Sequence, residues 1–157
     1  MDPYLAELNE LLVRAYRSIV KVEEVMLRDL SDTRLTISEM HLLERIGADR
    51  TLGRTVTDLA QELDITLPSV TVALKRLEKK GYVTKNRCSE DGRRVRVKLT
   101  GEGLRAEIAH RYFHRQMVRA VAGELDENER RALIAGVRKL DLFLRGKIED
   151  AERGDSL

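Results

Sequence analysis

The sequence predicts a mainly α-helical fold carrying one small β-hairpin, and three observations lead there. Apolar residues recur at helical spacing through most of the 157 residues, with only two prolines to interrupt them. One short stretch, residues 82–99, switches to the two-residue alternation of strands. The glycines stand singly at helix ends and turns, where punctuation belongs, and form no glycine-rich loop. With 42% apolar and 36% charged residues, the chain has the balance of a soluble domain that buries a core without staples.

The elements follow in order. Leu5, Leu8, Leu12, Ala15, Ile19, Val22 and Met26 step by three and four, the stripe of a first helix, α1. Leu11, Val13, Tyr16, Val20, Val25 and Leu27 widen it beyond half the girth, so α1 is expected to pack on its own domain and on a partner subunit. SDTRLT is a polar break, after which α2 runs from about 38 to Gly47, with Met40, Leu42, Leu43 and Ile46 apolar. ADRTLGR is a loop. Thr55 caps a short α3 with Val56, Leu59, Ala60 and Leu63 inward. Asp64 and Ile65 make a tight turn, and Thr66 caps α4, whose Pro68 sits in the tolerated first turn and which Gly81 stops. In the hairpin, Val95, Val97 and Leu99 share one face and Arg94, Arg96 and Lys98 the other, around the turn Ser89-Glu90-Asp91-Gly92. A helix α5 spans 100–121 with Leu104, Ile108, Phe113 and Met117 apolar. Asp126-x-x-Glu129 reads as a capping box for α6, which carries Leu133, Val137, Leu140 and Leu144 to about 150. The order is α1-α2-α3-α4-β-β-α5-α6.

Charge is unevenly placed. Between Lys75 and Lys98 ten basic residues face three acidic ones, a local +7 in a chain of net +2, so the remainder carries −5. A solvated charge run is the plain reading; a polyanion-binding surface is the other. The order of elements decides between them. Helix, tight turn, helix and a cationic hairpin make a winged helix-turn-helix, which holds one helix against duplex DNA. On α4, Val70, Leu74 and Leu77 must face the core, leaving Pro68, Thr71 and Lys75, and beside them Ser69, Val72 and Arg76, for the groove. Ser69 and Thr71 can meet base edges or phosphates, Val72 a thymine methyl, and Lys75 and Arg76 phosphate or guanine. With the cap Thr66, and with Arg93, Arg94 and Arg96 of the hairpin along the backbone or in the minor groove, these form the candidate DNA-binding set.

These residues resemble the MarR family of bacterial regulators, and the likeness runs from α1 to α6. It is most specific in VTDLAQELDITLPSVTVALKRLEKKGYVTKNRCSEDGRRVRVKLTGEG, where LAQELDITLPSVTVALKRLEKKGYV is similar to the family's helix-turn-helix. Asp91-Gly92-Arg93 matches the Asp-x-Arg of its wing, and LTGEG the wing-to-helix junction. The resemblance implies that Asp91 supports the wing and Arg93 faces DNA. It also implies a homodimer on a pseudo-palindrome, with 1–30 and 101–150 as dimerisation helices, 31–100 as the DNA-binding region and 151–157 as a frayed tail. Repression is the family default. VEEVMLR in α1, ISEMHLLERIG in α2 and HRYFHRQMV in α5 are similar to the fatty-acid-synthesis repressors of the FabT type. That likeness implies control of fatty-acid synthesis genes, an acyl-chain effector delivered on acyl carrier protein, and an apolar pocket between α1, α2 and α5.

The three histidines carry two readings. His41, His110 and His114, with Phe113 and Met117, can anchor an effector in that pocket. Alternatively His41, His110 and His114, with Glu24 from α1, can hold zinc in a tetrahedral site, His110 and His114 lying at i and i+4 on one helix face. The same positions resemble those used by zinc-sensing members of the family. No obligatory cofactor is expected. Cys88, the single cysteine, cannot form an internal disulfide and is read as structural, though Arg87 beside it could lower its pKa.

No phosphate loop, nucleophile elbow or HExxH motif stands in the sequence, so no enzyme is expected. The rival of another class is an interaction module that assembles through α1 and binds no DNA. The N-terminal MDPYLAELNE lacks a basic region backed by an apolar run, and no apolar stretch approaches the roughly 18 residues of a membrane span. A cytoplasmic protein without membrane contact is the expectation.

Overall fold

The computed structural model describes residues 2–30, 35–87 and 95–153. It contains α1 (Pro3–Leu30), α2 (Ile37–Gly47), β1 (Arg54–Thr55), α3 (Val56–Leu63), α4 (Leu67–Lys79), β2 (Val83–Arg87), β3 (Val95–Leu99), α5 (Gly101–Gly123) and α6 (Glu127–Arg153). The helices fall where the apolar spacing put them, with ends shifted by a few residues. The chain divides into two compact units, 1–113 and 114–157, with the division falling inside α5.

Side-chain caps set the helix starts. Thr36 and Glu39 form a complete capping box on α2, so the last residue of what the sequence shows as a polar break is the helix N-cap. Thr55 and Asp58 do the same for α3, and Asp126 and Glu129 for α6 as the spacing foretold. Asp64 ends α3 in the left-handed region at φ 53°, a conformation that asparagine and aspartate tolerate better than most residues.

The sheet has three antiparallel strands in the order β1-β3-β2, one more than the hairpin expected from alternation. Val83 pairs with Leu99 and Arg87 with Val95, as a hairpin requires; β1 adds Arg54 and Thr55 opposite Val97 and Arg96. Two residues are too short to show a period, so only pairing with β3 reveals β1.

In the first unit the core is built from Leu27 of α1, Met40, Leu42, Leu43 and Ile46 of α2, Leu59 and Ala60 of α3, the inner face of α4, and Tyr82, Val83 and Val97 at the sheet. Burying a side chain such as Leu74 in full stabilises by about 1.5–3 kcal/mol, so the inner face of α4 alone fixes its orientation. By contrast, Leu5, Leu8, Leu12, Ile19 and Val22 of α1 are exposed, and so are Leu133, Ile134, Val137, Phe143 and Leu144 of α6.

Two buried carboxylates tie the elements together. Glu39 lies 2.6 Å from Lys80 Nζ, joining α2 to the end of α4. Glu107 of α5 accepts from Arg50 at 2.9 Å and pairs with Arg111 at 3.2 Å. No helix among the described residues is long and apolar enough to cross a membrane.

Candidate nucleic-acid interface and histidine cluster

The turn between α3 and α4 holds just Asp64, Ile65 and Thr66, and the Ile65 amide donates to the Ala60 carbonyl at 3.1 Å. Leu59 on one helix and Val70, Leu74 and Leu77 on the other are fully buried, so the pair is clamped through one apolar seam. The opposite side of α4 then faces outward by helical geometry, and Pro68, Ser69, Thr71, Val72, Lys75 and Arg76 are all exposed, as the candidate set requires. Lys79 lies on the same outer row, eleven residues after Pro68, and is exposed too. Extending the i, i+3, i+7 series of Pro68, Thr71 and Lys75 by one more turn would have found it in the sequence.

The hydroxyls behave differently from expectation. Thr66 Oγ1 accepts from the Ser69 amide at 3.3 Å and lies 2.9 Å from Ser69 Oγ, while Thr71 Oγ1 donates to the Leu67 carbonyl at 2.8 Å. These side chains cap and brace their own helix, a local alternative open to short hydroxyl residues.

The sheet beside α4 is anchored through its cations. Arg96 Nη1 donates to the Gly53 carbonyl at 2.9 Å and Lys98 Nζ to the Thr51 carbonyl at 2.6 Å, so both reach back to the loop before β1. Arg96, read as a backbone-contacting cation, is half-buried in this bracing role. Asp49 shapes that loop by accepting from the Leu52 and Thr51 amides at 3.0 Å and the Thr51 hydroxyl at 2.8 Å. Those bonds, the Leu52 amide foremost, hold its carboxyl below the ordinary aspartate value. A cleft of about 520 Å³, lined by Thr55, Val56, Thr57, Asp58, Thr71, Val95 and Arg96, opens between the start of α3, α4 and β3. Asp91, Arg93 and Arg94, and with them Cys88, lie outside the described residues.

A second constellation sits in the first unit. His110 of α5 is fully buried with Nδ1 2.8 Å from Glu44 Oε1 of α2. A carboxylate can only accept, so Nδ1 carries the proton, and in the neutral imidazole Nε2 holds the lone pair. The His41 and His110 ring centroids are 5.9 Å apart, and His41 Nε2 lies 3.9 Å from Glu23 Oε1. One donor atom each from Glu23, His41 and His110 falls within 4.8 Å of the others.

The carboxylate on this cluster is therefore Glu23 and not Glu24, which correction follows from helix phase. Glu23 is buried on the inward side of α1, one turn from Leu27, whereas Glu24 is exposed and paired with Lys21 at 3.3 Å. Phe113 is half-buried at the end of the first unit; His114 and Met117, also half-buried, belong to the second.

A three-stranded antiparallel sheet set beside a helix-turn-helix defines the winged-helix class. A family profile described as MarR family matches residues 35–94. Streptococcus pneumoniae FabT, solved in complex with DNA, is 32% identical with a TM-score of 0.84, covering 90% of this chain and 98% of that one. Staphylococcus aureus MepR, also solved with DNA, is 25% identical with a TM-score of 0.67 over 83% and 94% of the two chains. The HTH-type transcriptional regulator FarR of Neisseria gonorrhoeae is 38% identical over 74 residues, 47% of this chain and 49% of FarR. The chain spans about half the length of the curated relatives it matches. It belongs to the MarR family.

Proposed function

We propose that this chain is a transcriptional regulator that binds double-stranded DNA as a homodimer, with no catalytic role. One observation carries the reading: α4 stands on a fully buried Val70-Leu74-Leu77 face and offers Lys75, Arg76 and Lys79 outward beside the sheet. FabT and MepR, each solved with DNA, share the fold over most of their length. The exposed apolar rows of α1 and α6 support pairing with a second copy, which would set two α4 helices against a pseudo-palindrome. Repression in the cytoplasm accords with the family. The test is duplex binding across a salt series. A regulator loses affinity steeply as salt rises, through counterion release, whereas an interaction module of α1 or an enzyme shows no such binding.

For the effector, the likeness to FabT supports an acyl chain, with acyl carrier protein as its bearer and fatty-acid synthesis genes as the target. Mass spectrometry of the purified protein would detect a co-purifying acyl group.

The histidine cluster favours a second reading, zinc as effector. Glu23, His41 and His110 offer an oxygen and two imidazoles, the donor set zinc takes, and Glu44 orients the His110 ring as outer-shell carboxylates do. Tetrahedral zinc needs donor atoms about 3.3 Å apart, so the three donors, within 4.8 Å of one another and 3.9 Å apart for His41 and Glu23, would have to draw closer around the ion. Bound zinc would supply charge that draws α1, α2 and α5 together. Stoichiometric zinc by elemental analysis, lost in His110→Ala, supports this reading; DNA binding that responds fully to effector in chelator removes it.

A further inference from the structure

The outward face of α4 changes character along its length. Its leading end is apolar: Ile65, Leu67 and Val72 are 44%, 48% and 48% exposed, and Pro68 lies on the same row as Val72 one turn earlier. Lys75, Arg76 and Lys79 follow in the second half. Exposed apolar side chains beside a row of cations suit a surface with an anionic rim and apolar groups set in its floor.

Polar readout at the leading end is curtailed. Three hydroxyls stand there, and two of their three hydrogens are spent inside the helix. Thr71 donates to the Leu67 carbonyl, and either Thr66 or Ser69 donates to the other. Pro68 has no amide hydrogen, and the Ser69 amide is held by Thr66. Of the hydroxyls expected to read base edges, Thr71 is thus turned onto the backbone of its own helix and Ser69 onto the capping hydroxyl of Thr66. The major-groove edge of a base pair carries one apolar group, the 5-methyl of thymine.

We propose that α4 discriminates base pairs chiefly by packing Pro68 and Val72 against thymine 5-methyl groups. The preferred half-site then presents thymines to the first two turns of the helix, and Lys75, Arg76 and Lys79 supply affinity from the flanking phosphates. This rests on the DNA-binding reading above.

The test uses a duplex selected from a random library by the full-length protein, and the same duplex with deoxyuridine in place of thymidine in the half-sites. Loss of one packed methyl costs about fourfold in affinity, so in a symmetric site each residue's contact, lost in both halves, costs roughly fifteenfold. Val72→Ala, an exposed position, should lower the thymidine-to-deoxyuridine affinity ratio by up to roughly fifteenfold, leaving the share that Pro68 contributes. That ratio is internal to each protein and is unaffected by changes in stability. Equal affinity of the wild type for both duplexes overturns this inference while leaving the regulator reading intact. A ratio unchanged in Val72→Ala overturns the assignment to Val72. Failure to bind any duplex overturns both.

Discussion

Lys80, the C-cap of α4, places its Nζ 2.6 Å from the carboxylate of Glu39, the third residue of α2, and that carboxylate also accepts from the Thr36 amide at 3.0 Å. Burial pushes the Glu39 acid upward; the bonds from Lys80 and Thr36 and the charge of Lys80 outweigh it, and the carboxyl settles below its ordinary value. A depressed acid stabilises the fold above its unfolded pKa, and the contribution drains away as the pH falls through the folded one. Lys80→Met should therefore lower stability by about 1–2 kcal/mol at pH 7, with the gap to wild type shrinking below the ordinary glutamate value of about 4.3. Urea midpoints at pH 7 and in acid measure it. A gap that holds constant in acid would show that Lys80 does not govern this carboxylate.

Gly103, in the first turn of α5, passes so close to the Tyr82 carbonyl that a β-carbon would overlap that oxygen. Nearby, Thr100 donates from its hydroxyl to Gly81 and accepts from the Gly103 amide, binding the end of α4 to the start of α5. Gly103→Ala should cost about 3 kcal/mol, since backbone has nowhere to retreat. Gly101→Ala, with only the tip of Arg105 within reach, should be nearly neutral. Thermal melts of the two variants distinguish a packing glycine from one that is merely helix-terminal; equal melts would refute the close approach.

Leu74 and Arg76 sit two residues apart on α4 yet should fail in different ways. Leu74→Ala removes a fully buried side chain and should cost about 2–5 kcal/mol of stability. Arg76→Ala should leave stability within about 0.5 kcal/mol and lower the salt slope of DNA binding by roughly one per subunit. Denaturation and a salt titration on each variant give the comparison. An Arg76 variant with an unchanged slope and intact affinity would remove that residue from the interface.

Glu23 and Glu24 provide an adjacent pair for testing zinc. Glu23→Gln replaces a ligand carboxylate by a neutral amide and should weaken zinc binding by more than the roughly ten- to a hundredfold that loss of an outer-shell partner costs, while Glu24→Gln, on the solvent side with Lys21, should not. Competition with a chromophoric chelator reads both. The reverse order would mean that α1 turns in the metal-bound state.

Helix-level features were legible because they depend on neighbours in sequence. The seam of Val70, Leu74 and Leu77, the caps at Thr55, Thr66 and Asp126, and the pairing of β2 with β3 all follow from spacing of three, four or two residues. The capping box at Thr36 and Glu39 was equally local but hidden in a polar run that reads as loop.

By itself, then, the sequence determined the winged-helix order and the face of α4 that turns inward, because periodic apolar residues must bury one side of each element. The tertiary structure decided which polar groups are spent. It set Glu23 rather than Glu24 toward His41 and sent Arg96 and Lys98 back to the loop carbonyls before β1. A polar side chain takes whichever partner lies within about 3 Å, and that distance is fixed by how separate elements pack.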